Sequence, residues 1–182
     1  MLVQRSNPIG IDYVICQIQS KIYSYLTEKK GWTNYNSYDR AYINYNDKQI
    51  IPEIYVGNGE YIDALMNDKI KAMTYFIVED NRSYSNDKNG FNANVSLIFQ
   101  GNIKSLYPSI THRADEELHK ELFNSLKYAY HSAIIESLKT GVDNVYSSFN
   151  FDESFKEKIK NHNIGKYHVC RLDFNINFKY CK

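Results

Sequence analysis

The residues with the most chemistry to offer here are five histidines, three cysteines and one run of acids. The histidines are His112, His119, His131, His162 and His168. None forms an HExxH motif or a Cys/His cluster with zinc spacing. His112 and His119 stand seven residues apart and could share a helix face, but no third ligand lies beside them in the sequence. His168 falls on the apolar side of an alternating run and reads as a satisfied, partly buried histidine. Cys16, Cys170 and Cys181 are odd in number, with no CxxC pair. Cys16 sits in a helical pattern and Cys170 on the inward side of a strand pattern, where cysteine behaves as a small hydrophobe. Asp115, Glu116 and Glu117 could hold a divalent cation for hydrolysis. At a helix start, the same three acids are also an ordinary solvated first turn that complements the dipole. Gly57, Asn58 and Gly59 look like half of a phosphate loop but lack the third glycine and the Lys-Ser/Thr pair. They read as a turn. Neither serine nor cysteine occupies a nucleophile elbow. The expectation is a non-enzymatic protein without cofactor or metal. A small metal-dependent nuclease using Asp115, Glu116 or Glu117 is the alternative, with a protein-binding accessory factor as another.

Composition narrows the classes. The chain has 182 residues, 43% hydrophobic and 24% charged, which fits one globular domain over 1–182. Lys and Arg number 22 against 21 Asp and Glu, a net charge of +1. That leaves no basic field to hold nucleic acid by counterion release. A conduit that lets DNA slide needs none. No apolar run reaches the ~20 residues that cross a bilayer, and the start, MLVQRSNPIGID, lacks a signal-peptide core. The expectation is a soluble, reduced protein made in the cytoplasm. Seventeen tyrosines against one tryptophan suit contact surfaces, although AT-rich coding inflates the same residue.

The elements that would position these residues follow from periodicity. Ile11, Ile15, Ile18, Ile22 and Leu26 mark one face of a first helix, stopped at Gly31. Residues 31–40 read as a polar, aromatic loop around Trp32. Two extended runs, 41–45 and 50–56, follow as a hairpin or arm, with Pro52 demoting the second. Residues 61–66 read as a short helix. Two strands, 70–78 and 91–100, flank a long polar loop at 79–90. A second helix starts near Arg113, with Leu118, Leu122 and Leu126 as its stripe. Residues 133–138 suggest another short helix. From His168 to Tyr180, apolar and polar residues alternate over thirteen positions. Such a strand has one buried and one wet face. The fold class expected is α+β: an antiparallel sheet of about four strands, two main helices on one face, and an arm at 31–56.

Three segments carry a resemblance. LIFQGNIKSLYPSITHRADEELHKEL, from Leu97 to Leu122, resembles neck and tail-completion proteins of crAss-like phages. YHVCRLDFNINFKYC, from Tyr167, resembles the closing strand of that group, and GIDYVICQIQSKIYSYL its first helix. The order helix, strands, helix, strand is also similar to the tail-terminator fold. The resemblance implies a structural virion protein: a closed ring of about six or twelve copies in the neck or tail. It implies portal, neck or tail neighbours, and double-stranded DNA passing through without sequence-specific contact. On this expectation Trp32, Tyr35 and Tyr38 in the arm, and Tyr84 in the polar loop, offer subunit contacts. Arg113 and Asp115 would pair across an interface.

Overall fold

The computed structural model describes residues 1–46, 49–66, 69–84, 90–149, 151–162 and 168–180. In chain order the first elements are β1 (Leu2–Val3), α1 (Ile11–Ser24) with a π-helical last turn (Tyr25–Lys29), and β2 (Tyr35–Arg40). The hairpins β3 (Tyr42–Asn46), β4 (Gln49–Gly57) and β5 (Glu60–Asp63) follow, then β6 (Ala72–Tyr84) and β7 (Phe91–Gly101). Helices α2 (Ile103–Leu106) and α3 (Asp115–Ala129), strand β8 (Ile135–Thr140), helices α4 (Val142–Val145) and α5 (Glu153–His162), and β9 (His168–Phe178) complete the order.

The class is α+β, as the periodicity predicts, but the sheet is larger and mixed. Six strands run in the order β1-β2-β6-β7-β9-β8. β1, β2 and β6 are mutually parallel; the pairings from β6 onward are antiparallel. The expected hairpin is the β6–β7 pair, and β9 lies between β7 and β8. A separate three-stranded antiparallel sheet, β3-β4-β5, contains the hairpin that the arm pattern suggested.

Both faces of the large sheet are covered, not one. On the first face, Ile15, Ile18 and Ile22 of α1 and Leu118, Leu122 and Leu126 of α3 pack on Phe76, Leu97, Cys170 and Leu172. On the second, Met73, Tyr75, Ile98 and Val169 meet Tyr146, Phe155 and Ile159 beside α4 and within α5, together with Ile54 of the smaller sheet. The polar side of β9 is therefore wet only towards its end: Val169 and Arg171 are buried, and Asn177 is exposed.

Four expectations are corrected. The 31–40 loop contains β2, a strand with Ser37 and Asp39 buried. Polar side chains can sit there because each is answered: Asp39 accepts two bonds from the Arg5 guanidinium, at 2.7 and 2.9 Å, and Ser37 bonds Thr74. No apolar period marks such a strand. Residues 60–63 are β5, not helix, because the turn at Asn58 and Gly59 folds them back on β4. The short helix expected at 133–138 is instead strand β8 from Ile135, where pairing with β9 overrides the helical propensity of Glu136, Leu138 and Lys139. The polar loop is shorter than 79–90: β6 continues through Tyr84 beyond a register shift after Val78. Residues 85–89 lie outside the described residues.

Candidate functional site

Two short-range periodicities converge on one point. In α3, Asp115 and His119 are one turn apart and share a face. In β9, His168 and Cys170 are two residues apart and point to the same side of the sheet. That side carries α3, so the first turns of the helix lie over the start of the strand. Gly101 of β7 is the residue opposite His168. A Cβ there would run into the Phe99 ring and stand 3.1 Å from the Lys71 carbonyl, so only glycine keeps β7 flush against the start of β6. Gly141, at φ +80°, turns β8 into α4 and forms part of the wall of the cleft. The cleft holds about 540 Å³. Arg113, Glu116 and Thr140 also line it.

The geometry is a chain of acid and imidazole. Asp115 Oδ1 lies 3.1 Å from His168 Nδ1. The carboxylate assigns the hydrogen to Nδ1, which leaves the lone pair on Nε2. His119 Nε2 is 3.1 Å from that atom and donates to it. His119 Nδ1 is then a bare acceptor; it is buried, has no hydrogen-bond partner among the described residues, and stands 3.6 Å from Glu116 Oε1. Cys170 completes the group: one ligand atom from each of His119, His168 and Cys170 lies within 4.8 Å of the others. Burial pushes the His168 imidazole below its ordinary value, with Asp115 opposing. Arg113 donates to both Asp115 oxygens, at 2.8 and 2.9 Å, and holds that carboxyl below the usual range. Burial raises the Cys170 thiol. The array can relay a proton between the two imidazoles and the cleft, with the Asp115 carboxylate stabilising positive charge on His168. With hydrogen on both Nδ1 atoms, it can instead aim two Nε2 lone pairs and a sulfur at one cation.

The residues singled out from the sequence separate accordingly. Trp32 and Tyr35 lie inside the first core at 4% and 1% exposure, and Tyr38 inside the second at 5%. Trp32 donates to Glu121 at 2.8 Å and sits edge-on to Tyr35 and Phe99, while the Tyr35 hydroxyl meets Thr74 at 2.5 Å. Side chains this enclosed have no surface to give a neighbouring subunit. Tyr84 is 72% exposed and leans on Phe91. Arg113 and Asp115 pair with each other within the chain. The three acids diverge: Asp115 faces His168, Glu116 approaches His119, and Glu117 is 4.0 Å from His112. His112 precedes α3 and does not share the His119 face. Cys181 lies outside the described residues.

What the sequence missed is His119 meeting His168. The signal was available as two inward-facing pairs, Asp115 with His119 and His168 with Cys170. Their convergence depends on which helix covers which strand, and no local pattern carries that.

No family model matches this chain. No curated protein matches it either. Among the described residues, no helix is long and apolar enough to cross a membrane.

Proposed function

We propose that the chain is a structural subunit that closes head-to-tail into a ring of about six or twelve copies. This is the neck or tail role implied by its resemblance to crAss-like phage proteins, and the tail-terminator-like assignment belongs with it. The observation that supports it best is a pair of unlike open strand edges with exposed apolar residues, one in each sheet. β8 ends the six-stranded sheet, with Leu138 exposed at 45% and Ile134, just before it, at 69%. β5 ends the smaller sheet, with Tyr61 and Ile62 exposed. The neighbour of β5, β4, packs against β1 and β2, the far end of the large sheet from β8.

Two unlike surfaces on one subunit are what head-to-tail joining requires, and such contacts close into a ring when each step rotates. Open strand edges also pair readily with a neighbour's backbone. Tyr84 and Phe91, at the other end of the β6–β7 hairpin from Gly101, add an aromatic surface for the tier above or below. A net charge of +1 suits a channel that must not grip the passing phosphates.

The test combines sedimentation velocity of the purified chain with its copy number in purified phage particles by calibrated mass spectrometry. About six or twelve copies per particle, or a closed oligomer of that size in solution, supports the ring. A monomer at every concentration, together with absence from particles, overturns it. Magnesium-dependent DNA cleavage lost in Asp115→Ala would then favour the nuclease, and its absence the accessory factor.

A further inference from the structure

We propose that His119, His168 and Cys170 form a binding site for a zinc-type divalent cation, with the fourth coordination position open to the Arg113 cleft. The inference does not rest on ring assembly, although the end of β8 at Thr140 lines the same cleft.

Three observations lead to it. The first is spacing. Two imidazole nitrogens on one tetrahedral zinc, at 2.0–2.1 Å each, stand about 3.3 Å apart. His119 Nε2 and His168 Nε2 are 3.1 Å apart. A thiolate at about 2.3 Å from the ion would lie about 3.6 Å from each nitrogen. One nitrogen of each histidine and the Cys170 sulfur already lie within 4.8 Å of one another, so the sulfur needs to close by only about an ångström.

The second is the ring of carboxylates behind the imidazoles. Histidines that hold zinc commonly donate their other N–H to a carboxylate, which fixes tautomer and ring orientation. Asp115 stands behind His168 at 3.1 Å and Glu116 behind His119 at 3.6 Å. The Glu116 side chain is 93% exposed and free to close the remaining gap. Arg113 anchors Asp115 through two bonds and fixes its direction.

The third is the orphaned atom. In the direct His–His hydrogen bond, His119 Nδ1 is a buried acceptor with nothing to accept, an unfavourable state for a buried polar atom. A cation between the rings removes the conflict. Both Nδ1 atoms then carry hydrogen and donate to their carboxylates, and both Nε2 lone pairs bind the ion. The hydrogen on His119 moves from Nε2 to Nδ1 through solvent, and Cys170 releases its thiol proton to water as the sulfur–metal bond forms. No electron changes hands. Two nitrogens and a sulfur select a borderline-soft ion over magnesium or calcium, which prefer all-oxygen sites.

The site would clamp the first turns of α3 to the start of β9. The test uses tag-free protein stripped with chelator and titrated with cobalt(II), a spectroscopic stand-in for zinc. Expected are tetrahedral visible bands and a near-ultraviolet thiolate-to-cobalt band, saturating at a single equivalent and displaced by zinc. Zinc should also raise Tm by several degrees. Cys170→Ser should remove the thiolate band, and His119→Gln should prevent saturation at that equivalent, with native circular dichroism confirming that both variants fold. Folded wild-type protein that gives neither band nor Tm shift overturns the site, as does a thiolate band that survives Cys170→Ser. Because the primary readout is on wild-type protein, a variant that misfolds leaves the decision intact.

Discussion

Arg171 carries its charge at 2% exposure, and the residues around it explain how. Its guanidinium pairs with Asp173, donates to the Val145 carbonyl and to Ser148, and lies 4.4 Å from the Phe149 ring centre. Asp173 in turn accepts from Ser96 at 2.7 Å and from Ser137 at 2.6 Å. Burial alone would raise the Asp173 carboxyl; the bonds from Ser137, Ser96 and Arg171 outweigh it and hold the group below its ordinary value. Asp173 is therefore still ionised in the fold where an unfolded chain has taken up its proton. Its stabilisation is complete above the unfolded value of about 3.9 and is lost as pH falls through the lower folded value. Asp173→Asn leaves Arg171 buried without its main partner and should cost about 3 kcal/mol at neutral pH. Urea unfolding at neutral pH and at pH 3 checks this: the gap between the variant and wild type should narrow at the acid end. A gap that does not change with pH would assign Asp173 a packing role instead. Neither residue stood out in the sequence, where Arg171 and Asp173 fell on the side of the last strand expected to be wet. Alternation gives the two sides of a strand but not what covers them, and α4 and α5 cover this one.

Among the elements, those with an apolar period were legible and those held by polar or long-range pairing were not. α1, α3, β7 and β9 carry stripes of Ile, Leu, Val and Phe and stand where the periodicity puts them. β2 does not advertise itself, because Ser37 and Asp39 are buried by partners far away in the sequence. β8 looks helical by composition and is a strand only because β9 is beside it. The candidate site followed the same rule: each residue's face could be read, and the meeting of two faces could not. Gly101 tests how closely these strands fit. Gly101→Ala drives a methyl group into Phe99, Ala72 and the Lys71 carbonyl, and should cost about 1–3 kcal/mol, read as a lower urea midpoint. An unchanged midpoint would mean that β6 and β7 separate locally at little cost. At the edge, Leu138→Lys on β8 should leave unfolding within about 0.5 kcal/mol of wild type, since that side chain is exposed, while reducing any self-association seen by sedimentation.

For the whole molecule, the two unlike edges make a prediction that a symmetric dimer does not share. Take one variant blocked at β8, Leu138→Lys, and a second blocked at β5, Ile62→Lys. Each alone should stay monomeric. Mixed, they retain one working contact, the intact β8 of one against the intact β5 of the other, and should form heterodimers that grow no further. Sedimentation of the mixture reads this directly, and rings or larger oligomers in it would mean that the contact lies elsewhere. The order in which the ribosome delivers these strands adds a constraint in time. β8 has one neighbour in the sheet, β9, and β9 follows it in the chain with α4 and α5 between them. Until β9 has emerged and slotted in beside β7, residues 135–140 have no backbone partner and no defined register. The edge proposed for joining copies thus does not exist until β9 is in place. If copies join as proposed, none can link through it before the sheet is complete.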